Sequence, residues 1–443
     1  MGPPSPGLSQ AAGRRPALQT EREESGTVDR SASSGPSRPR SAFTYASFRL
    51  YWLARFFNGF ATQIVSVAVG WQIYDETRNA FLLGLVGLVQ FAPALILVLV
   101  TGTVADRYNR RAVMGLSIAL EAACVAALAV FWMLHEARAD GHGSVWPVFA
   151  ILMTFGLARA FLTPAVQSLA ANIVPRRSFA NAVAWNSSAM QASFTIGPAI
   201  GGLLYGVASL VPYAVAVLLF AAAAALTLLI PKPPQRTTTE PRSVETMLAG
   251  FRYIRTNPVV LGAISLDMFV VLLGGATALL PVFARDILEV GPWGLGFLRS
   301  AAGIGALVMV VWLVRNPIHD HAGRIMFACV GIFGVAILVF GLSTTLWLSL
   351  PALFVMGAAD MVSVNVRSTL IQLATPDDLR GRVSAVNSVF IGASNEVGEF
   401  RAGTMAALIG AVPAVVLGGA GALVITGMWA RIFPALYNTR RLT

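Results

Sequence analysis

The sequence predicts an all-α integral membrane protein, with twelve transmembrane helices in two pseudo-symmetric six-helix bundles. Three observations carry that prediction. Hydrophobic residues make up 56% of the 443 and charged residues only 12%, with a mean hydropathy of +0.69. Soluble chains carry about 25% charged residues. The apolar surplus is gathered into runs of roughly 20 to 28 residues, each long enough to cross a hydrocarbon core of ~30 Å. Small and polar residues of the first half recur in the second at a shift of 201 positions. Strict polar/apolar alternation, the mark of a transmembrane β-barrel, is absent from the sequence.

Residues 1–42 are rich in Pro, Ser, Gly, Arg and Glu and read as a disordered cytoplasmic tail without the apolar core of a signal peptide. Tyr51 and Trp52 then supply an interfacial anchor. Spans follow at about 49–75, 80–104, 112–134, 146–172, 179–205, 210–230, 258–284, 291–314, 324–343, 346–373, 382–409 and 411–433. The N-terminal bundle thus covers 43–230 and the C-terminal bundle 258–433, with a cytoplasmic tail at 434–443. Between the bundles, the linker 231–257 opens with a helix-stopping PKPPQ. Val244, Met247, Leu248, Phe251 and Ile254 then recur at helical spacing, with Arg252 and Arg255 on other faces. That pattern fits an amphipathic helix at the membrane surface, the alternative being a solvated linker with accidental spacing.

The net charge of +11 is nearly all arginine, Lys232 being the one lysine. These charges cluster between apolar runs, as the positive-inside rule requires, and give no reason to invoke nucleic acid. Connections after even-numbered spans hold fourteen Lys or Arg, against Arg78, Arg138 and Arg285 on the opposite side, which places both termini in the cytoplasm. Cys124 and Cys329 lie inside apolar runs and read as buried thiols. His135, His142, His319 and His321 fall in or beside loops, so no metal and no cofactor is expected.

The shift of 201 superposes Gly156 on Gly357, Leu169 on Leu370, Pro175 on Pro376, Asn186 on Asn387, Ser187 on Ser388, Gly197 on Gly398 and Gly202 on Gly403. Spans 4–5 and 10–11 are therefore copies of one unit, and transporters built from repeats hold substrate at the repeat interface near the midplane. Between spans 2 and 3 stand Gly102, Asp106, Arg107, Arg110 and Arg111. The glycine allows close helix approach, the aspartate can meet a helix N-terminus or an arginine, and the arginines hold the loop at the cytoplasmic face. This loop resembles the signature of the major facilitator superfamily, with Asn109 where glycine is usual; asparagine tolerates the left-handed conformation glycine would supply. Asp320 and Arg324 echo the spacing of Asp106 and Arg110 between spans 8 and 9.

In span 5, Gly197, Pro198, Gly201 and Gly202 resemble the end of the superfamily's antiporter motif, the other reading being generic helix packing. Together with FRLYWLARF and RGRVSAVNSVFIGASNEVGEF, these segments resemble the branch of enterobactin-type siderophore exporters and macrolide or multidrug efflux proteins, over residues 45–433. The resemblance implies a bacterial inner membrane location.

Intramembrane charges cost several kcal/mol each unless paired or wetted. Glu121, Arg159, Asp267, Arg299, Asp360, Glu396 and Glu399 fall near midspan. Arg55, Asn58, Gly59, Thr62 and Ser66 form a polar stripe on span 1, and Asp360, Ser363 and Arg367 another on span 10. In the superfamily fold, spans 1, 4, 7 and 10 line the central cavity, so the resemblance places Arg55, Asn58, Arg159, Asp267, Asp360 and Arg367 there as substrate candidates; structural ion pairing is the alternative for each. Glu396 and Glu399, three residues apart on one face of span 11, cannot both stay charged cheaply in low dielectric. They are either proton-coupling groups or partners of Arg299 or Arg401.

The sequence thus points to a secondary active transporter, a proton-coupled exporter of an amphipathic small molecule such as a siderophore or drug. A proton-coupled uptake symporter is the alternative, and a membrane receptor or enzyme a distant one. The expected partners are that small molecule, protons and the lipid bilayer, with the chain acting as a monomer.

Overall fold

A computed structural model describes residues 2, 41–137, 144–232 and 244–440. Most of the expected N-terminal tail, the loop with Arg138 and His142, and residues 233–243 of the linker lie outside these. The described chain is helical and holds no strand. A 3-10 turn, Ala42–Thr44, leads into α1 (Ala46–Thr77), followed by α2 (Ala80–Ile96), α3 (Val98–Arg107), α4 (Arg110–Glu136), α5 (Trp146–Ile173), α6 (Phe179–Val207) and α7 (Val211–Leu229). After the linker helix α8 (Val244–Thr256) come α9 (Pro258–Gly274), α10 (Leu280–Val282), α11 (Gly291–Arg315), α12 (Ala322–Gly341), α13 (Leu346–Ala374), α14 (Asp377–Ile409), α15 (Ala411–Ile432) and α16 (Pro434–Tyr437).

Twelve spans result, because α2 and α3 form one span broken at Leu97, four residues after the helix-interior Pro93, and α9 and α10 form another. Eight segments cross on length and apolarity alone. The others, α1, α2–α3, α6 and α14, are shorter or more polar, and all four pack against the opposite half of the molecule. An even number of spans puts both ends of the bundle at one face, here the termini end; the opposite face is the far end.

Within the N-terminal half α4 packs on α5 and α7, and α1 on α6 and α7. In the C-terminal half α12 packs on α13 and α15, and α9 on α14 and α15. The halves meet where α6 crosses α11 and α14 crosses α2. Both crossings are made at glycine. A Cβ on Gly202 would lie 3.0 Å from the Gly296 backbone, and one on Gly403 would lie 2.7 Å from Cα of Gly84. Gly197 similarly admits Gln63 of α1, and its copy Gly398 admits the Val271 carbonyl of α9. The repeat read from sequence is therefore a two-fold relation between the crossings themselves. Small residues at membrane helix contacts allow the backbone approach that supplies packing energy where apolar burial gives none.

One local expectation is corrected, and three others gain detail. Asn109 is not left-handed: at φ −62° it N-caps α4, its side chain accepting from the Arg111 amide at 3.1 Å. Capping and left-handed turns favour the same residue type, so sequence cannot separate them. Residues 434–440, expected as a cytoplasmic tail, dock against the bundle. Leu436 is fully buried beneath α9, and the Thr439 carbonyl accepts from the Gly323 amide at 3.0 Å. His135 is in the last turn of α4, buried, with Nε2 3.6 Å from Glu76. The linker helix α8 is anchored to protein through buried Ile254, ring contact of Phe251 with Phe390, and Gly250 against the Arg382 backbone. Leu248 and Phe251 remain exposed on its outer side.

Replacing Gly403 with Val should lower stability by about 1–3 kcal/mol through overpacking at the crossing. Gly427→Ala, where a Cβ meets nothing within 4 Å, should be neutral or slightly stabilising. Thermal melting of the purified protein in detergent checks both.

Candidate functional site

Side chains from both halves converge near mid-span, on the termini side of the two glycine crossings, which lie closer to the far end. On α14, Glu396 and Glu399 face α2, where a Cβ on Gly87 would stand 3.3 Å from Oε2 of Glu399 and closer still to Glu396. Glu399 Oε1 also accepts a long hydrogen bond, 3.4 Å, from Thr277. Arg299 of α11 donates to Ser66 of α1 at 2.8 Å and lies within electrostatic reach of Glu399. Arg159 of α5 lies within reach of Glu396 and of Glu121 on α4. Ser66, Arg159 and Thr277 are exposed although they lie within spans.

Thr277 owes its position to a broken helix. α9 stops at Gly274, and a short 3-10 turn, Ala276–Leu279, precedes α10. Gly275 admits the Gly398 carbonyl, which would lie 2.6 Å from an added Cβ. The break frees the carbonyls of Leu272 and Leu273, and the Arg401 guanidinium donates to both. Arg401 therefore serves the backbone of span 7 and leaves the two glutamates to Arg299 and Arg159. Discontinuous helices with carbonyls freed at mid-membrane are a recurring device of transporter binding sites. The signal for this one was the Gly274–Gly275 pair followed by Pro281, which the sequence reading passed over.

The other predicted residues divide. Asp267 and Arg367 are bonded to each other, α9 to α13, with side chains only 13% and 6% exposed. Asn58 is buried and donates to Glu121 Oε2 at 2.6 Å, joining α1 to α4 within one half. The second Glu121 oxygen is buried with no partner among the described residues. Arg55 reaches Asn186 of α6 at 3.5 Å. Asp360 is half-buried on α13 with no ion pair among the described residues. Arg159, Glu396, Glu399 and Arg299 thus gather with Ser66 and Thr277, whereas Asn58, Asp267 and Arg367 belong to internal pairs.

Of the motif between spans 2 and 3, Gly102 is buried within α3, Arg107 is exposed at its last residue and Arg110 is buried at the start of α4. Arg111 Nη1 donates to the Ile230 carbonyl at 2.7 Å, tying the loop to the end of α7. The Asp106 side chain lies outside the described residues. In the span-5 motif, Gly197, Pro198, Gly201 and Gly202 are buried against α1 and α11, and Ser300 accepts from the Ala199 amide at 3.1 Å across the seam.

The halves are closed at the far end and parted at the termini end. At the far end, Arg285 pairs with Asp75, Arg78 with Asp286 at 2.9 Å, and the Tyr74 hydroxyl donates to Asp286, all across the seam. A cleft of about 710 Å³ opens beside these pairs, between Thr77 and Asn79 of one half and Ala407 and Pro413 of the other. It lies at the mouth, away from the mid-depth charges. Toward the termini end, Val183, Ala184, Trp185, Ser187 and Ser188 of α6 are exposed around the helix, while Ser193, Gly197, Gly201 and Gly202 nearer the far end are buried.

The Major Facilitator Superfamily profile matches residues 51–399. The chain belongs to the major facilitator superfamily. The enterobactin exporter EntS of Shigella boydii serotype 4 (strain Sb227) is 26% identical over 393 residues, covering 86% of this chain and 90% of that protein. Among solved structures, a bacterial homologue of the iron transporter ferroportin in its inward-facing state aligns with a TM-score of 0.67 at 16% identity, covering 88% of this chain and 99% of that one. The same homologue in its outward-facing state aligns with a TM-score of 0.56 at 16% identity, over 87% and 99%. At that identity the structural likeness bears on the fold. As a member of the superfamily the chain is a multi-pass membrane transporter and not an enzyme.

Breaking the buried pair by Asp267→Asn should cost about 3–5 kcal/mol, because Arg367 is left uncompensated. Asp267→Leu with Arg367→Met should recover most of that loss in thermal melts. Loss of transport in a stable double variant would return this pair to the transport machinery.

Proposed function

We propose that this transporter exports an amphipathic small molecule of the catecholate siderophore class from a bacterial cytoplasm, in exchange for protons and by alternating access. Both termini are cytoplasmic in this reading, and one chain is the working unit because it carries both moving halves. The observation that carries the proposal is the position of Glu396 and Glu399 on the seam itself, between Gly87 of one half and Thr277 of the other. A carboxylate there meets water from whichever side is open. A proton taken up from outside and released inside changes the charge facing Arg159 and Arg299, and so changes which state of the seam is favoured. The exporter relative supports the direction. The closed far end and parted termini end, with the better alignment to an inward-facing relative, support reading this state as open to the cytoplasm.

The exposed Arg159 is the group best placed to meet an anionic or catechol oxygen of the cargo. The apolar residues of the α6 inner half offer the remaining surface.

The test uses everted membrane vesicles with an acidic lumen and radiolabelled enterobactin as the probe. Wild-type protein should accumulate label, and a protonophore should abolish accumulation. Glu399→Gln and Glu396→Gln should each abolish gradient-driven accumulation while keeping counterflow. Full gradient-driven accumulation in the double Gln variant would contradict proton coupling through this pair. Accumulation only in right-side-out vesicles would contradict export.

A further inference from the structure

Among the described residues Glu121, on α4, is the one acidic side chain that is fully buried, at 1% exposure. α1 gives it a single hydrogen bond, from Asn58 to Oε2 at 2.6 Å. Its Oε1 is buried too, with no partner among the described residues. Asp267 meets its base directly, through Arg367, whereas no guanidinium is bonded to Glu121. Two cations stand within electrostatic reach of it, Arg159 of α5 and Arg55 of α1. A buried carboxylate with one oxygen unbonded is costly, and the field of such cations is what offsets the cost.

Arg159 is not committed to Glu121. It is exposed and lies within reach of Glu396 on α14 as well, so one cation stands between two acids, one from each half. Few other charges face this group. α2 and α7, packed on α5 and α4, carry none, and α3 carries its two at its last residues, Asp106 and Arg107. On α14, Glu399 adjoins Glu396 and faces Arg299 of α11. Cys124 is a buried thiol near Glu121.

We propose that Glu121 is a positioning residue for the proton site: through the shared Arg159 it sets how readily Glu396 takes up a proton. Arg159 carries one positive charge, and the part of its field spent on Glu121 does not hold Glu396 as a carboxylate. The unbonded Oε1 keeps that competition open, because an acid paired in full would make no claim on Arg159. Asn58 fixes the other oxygen, so α1, α4 and α5 of one half all bear on a proton bound by α14 of the other. This inference rests on reading Glu396 as a proton-binding group, but its test needs neither cargo nor a proton gradient.

The full chain in lipid nanodiscs is treated across a pH series with dicyclohexylcarbodiimide, which attaches to a carboxyl in its protonated form. The adduct at Glu396 is timed by peptide mass spectrometry. Glu121→Gln keeps the side chain's shape and can still accept from Asn58. Its loss of charge leaves Arg159 to Glu396 alone, so the rate profile at Glu396 should move to lower pH by about one unit. Asn58→Asp added to it returns a carboxylate to the same place from α1 and should bring the profile back. In an Arg159→Gln background, Glu121→Gln should move the profile no further. A profile unmoved by Glu121→Gln in folded protein overturns the proposal, as does a folded double variant that stays shifted. A full shift in the Arg159→Gln background also overturns it, since the two acids would then act on each other directly. If Glu121→Gln elutes as aggregate, Glu121→Asp decides, because it withdraws the charge by one methylene: a smaller shift the same way supports the role and an unmoved profile overturns it. A Glu396 that never reacts overturns both this role and proton coupling through Glu396. If the profile shifts as expected while the double Gln variant of Glu396 and Glu399 still accumulates label along the gradient, the role of Glu121 stands and the proposed coupling falls.

Discussion

The structure depends on backbone-to-backbone contact between the halves at two glycine crossings, Gly202 on Gly296 and Gly403 on Gly84. Inside a bilayer, apolar side chains gain little by leaving lipid for protein, so two bundles cohere only where packing is close enough to supply dispersion and weak polar contacts. Glycine gives that closeness without interlocking side chains. The resulting contact is tight along the seam and offers little resistance to rotation about it. A polar bond across it, from the Ala199 amide to Ser300, adds register.

A close, glycine-lined seam has a consequence for charge. Glu396 and Glu399 lie beside Gly87 because a larger residue there would occupy their space, and the carboxylates fill the room that glycine leaves. Placing ionisable groups at a fulcrum makes their solvation depend on which side is open. The broken span 7 completes the site: the chain stops at Gly274–Gly275, Arg401 satisfies the released carbonyls, and Thr277 is delivered to Glu399. Polar groups that do not face water are spent on one another, as in Asn58 with Glu121 and Asp267 with Arg367. Those pairs hold helices within one half.

Much of the scaffold was legible in the sequence, and the reason is physical. A glycine that admits a backbone can be read from its recurrence, so the shift of 201 residues marked Gly202 and Gly403 as equivalent, though not the helices they meet. The spacing of Glu396 and Glu399 foretold that they share a face, because helical geometry alone decides it. Contacts between helices distant in sequence were not legible. Asp267 and Arg367 were read as cavity residues because each lies on a cavity-lining span, and only their mutual distance shows that they satisfy each other. Arg78 and Arg285 had served merely as topogenic charges on the sparse side of the membrane, yet they carry the far-end closure. Asn109, a residue type that tolerates a left-handed turn, is a helix cap, since one short polar side chain suits both.

A close seam that runs from the glycine crossings toward mid-span, with ion pairs closing the far end and the other end parted, requires the two ends to move in opposition. Spin-label pairs at the far end (Ala137 with Thr344), at the seam (Phe194 with Ile304) and at the termini end (Arg177 with Arg380) would follow all three levels by pulsed distance measurement in nanodiscs across a range of pH. Across the two populated states, the far-end distance should lengthen as the termini-end distance shortens, with the seam pair constant within the label's own width. Lengthening at both ends together, or a seam pair that shifts as much as the ends, would contradict rocking about the glycine crossings.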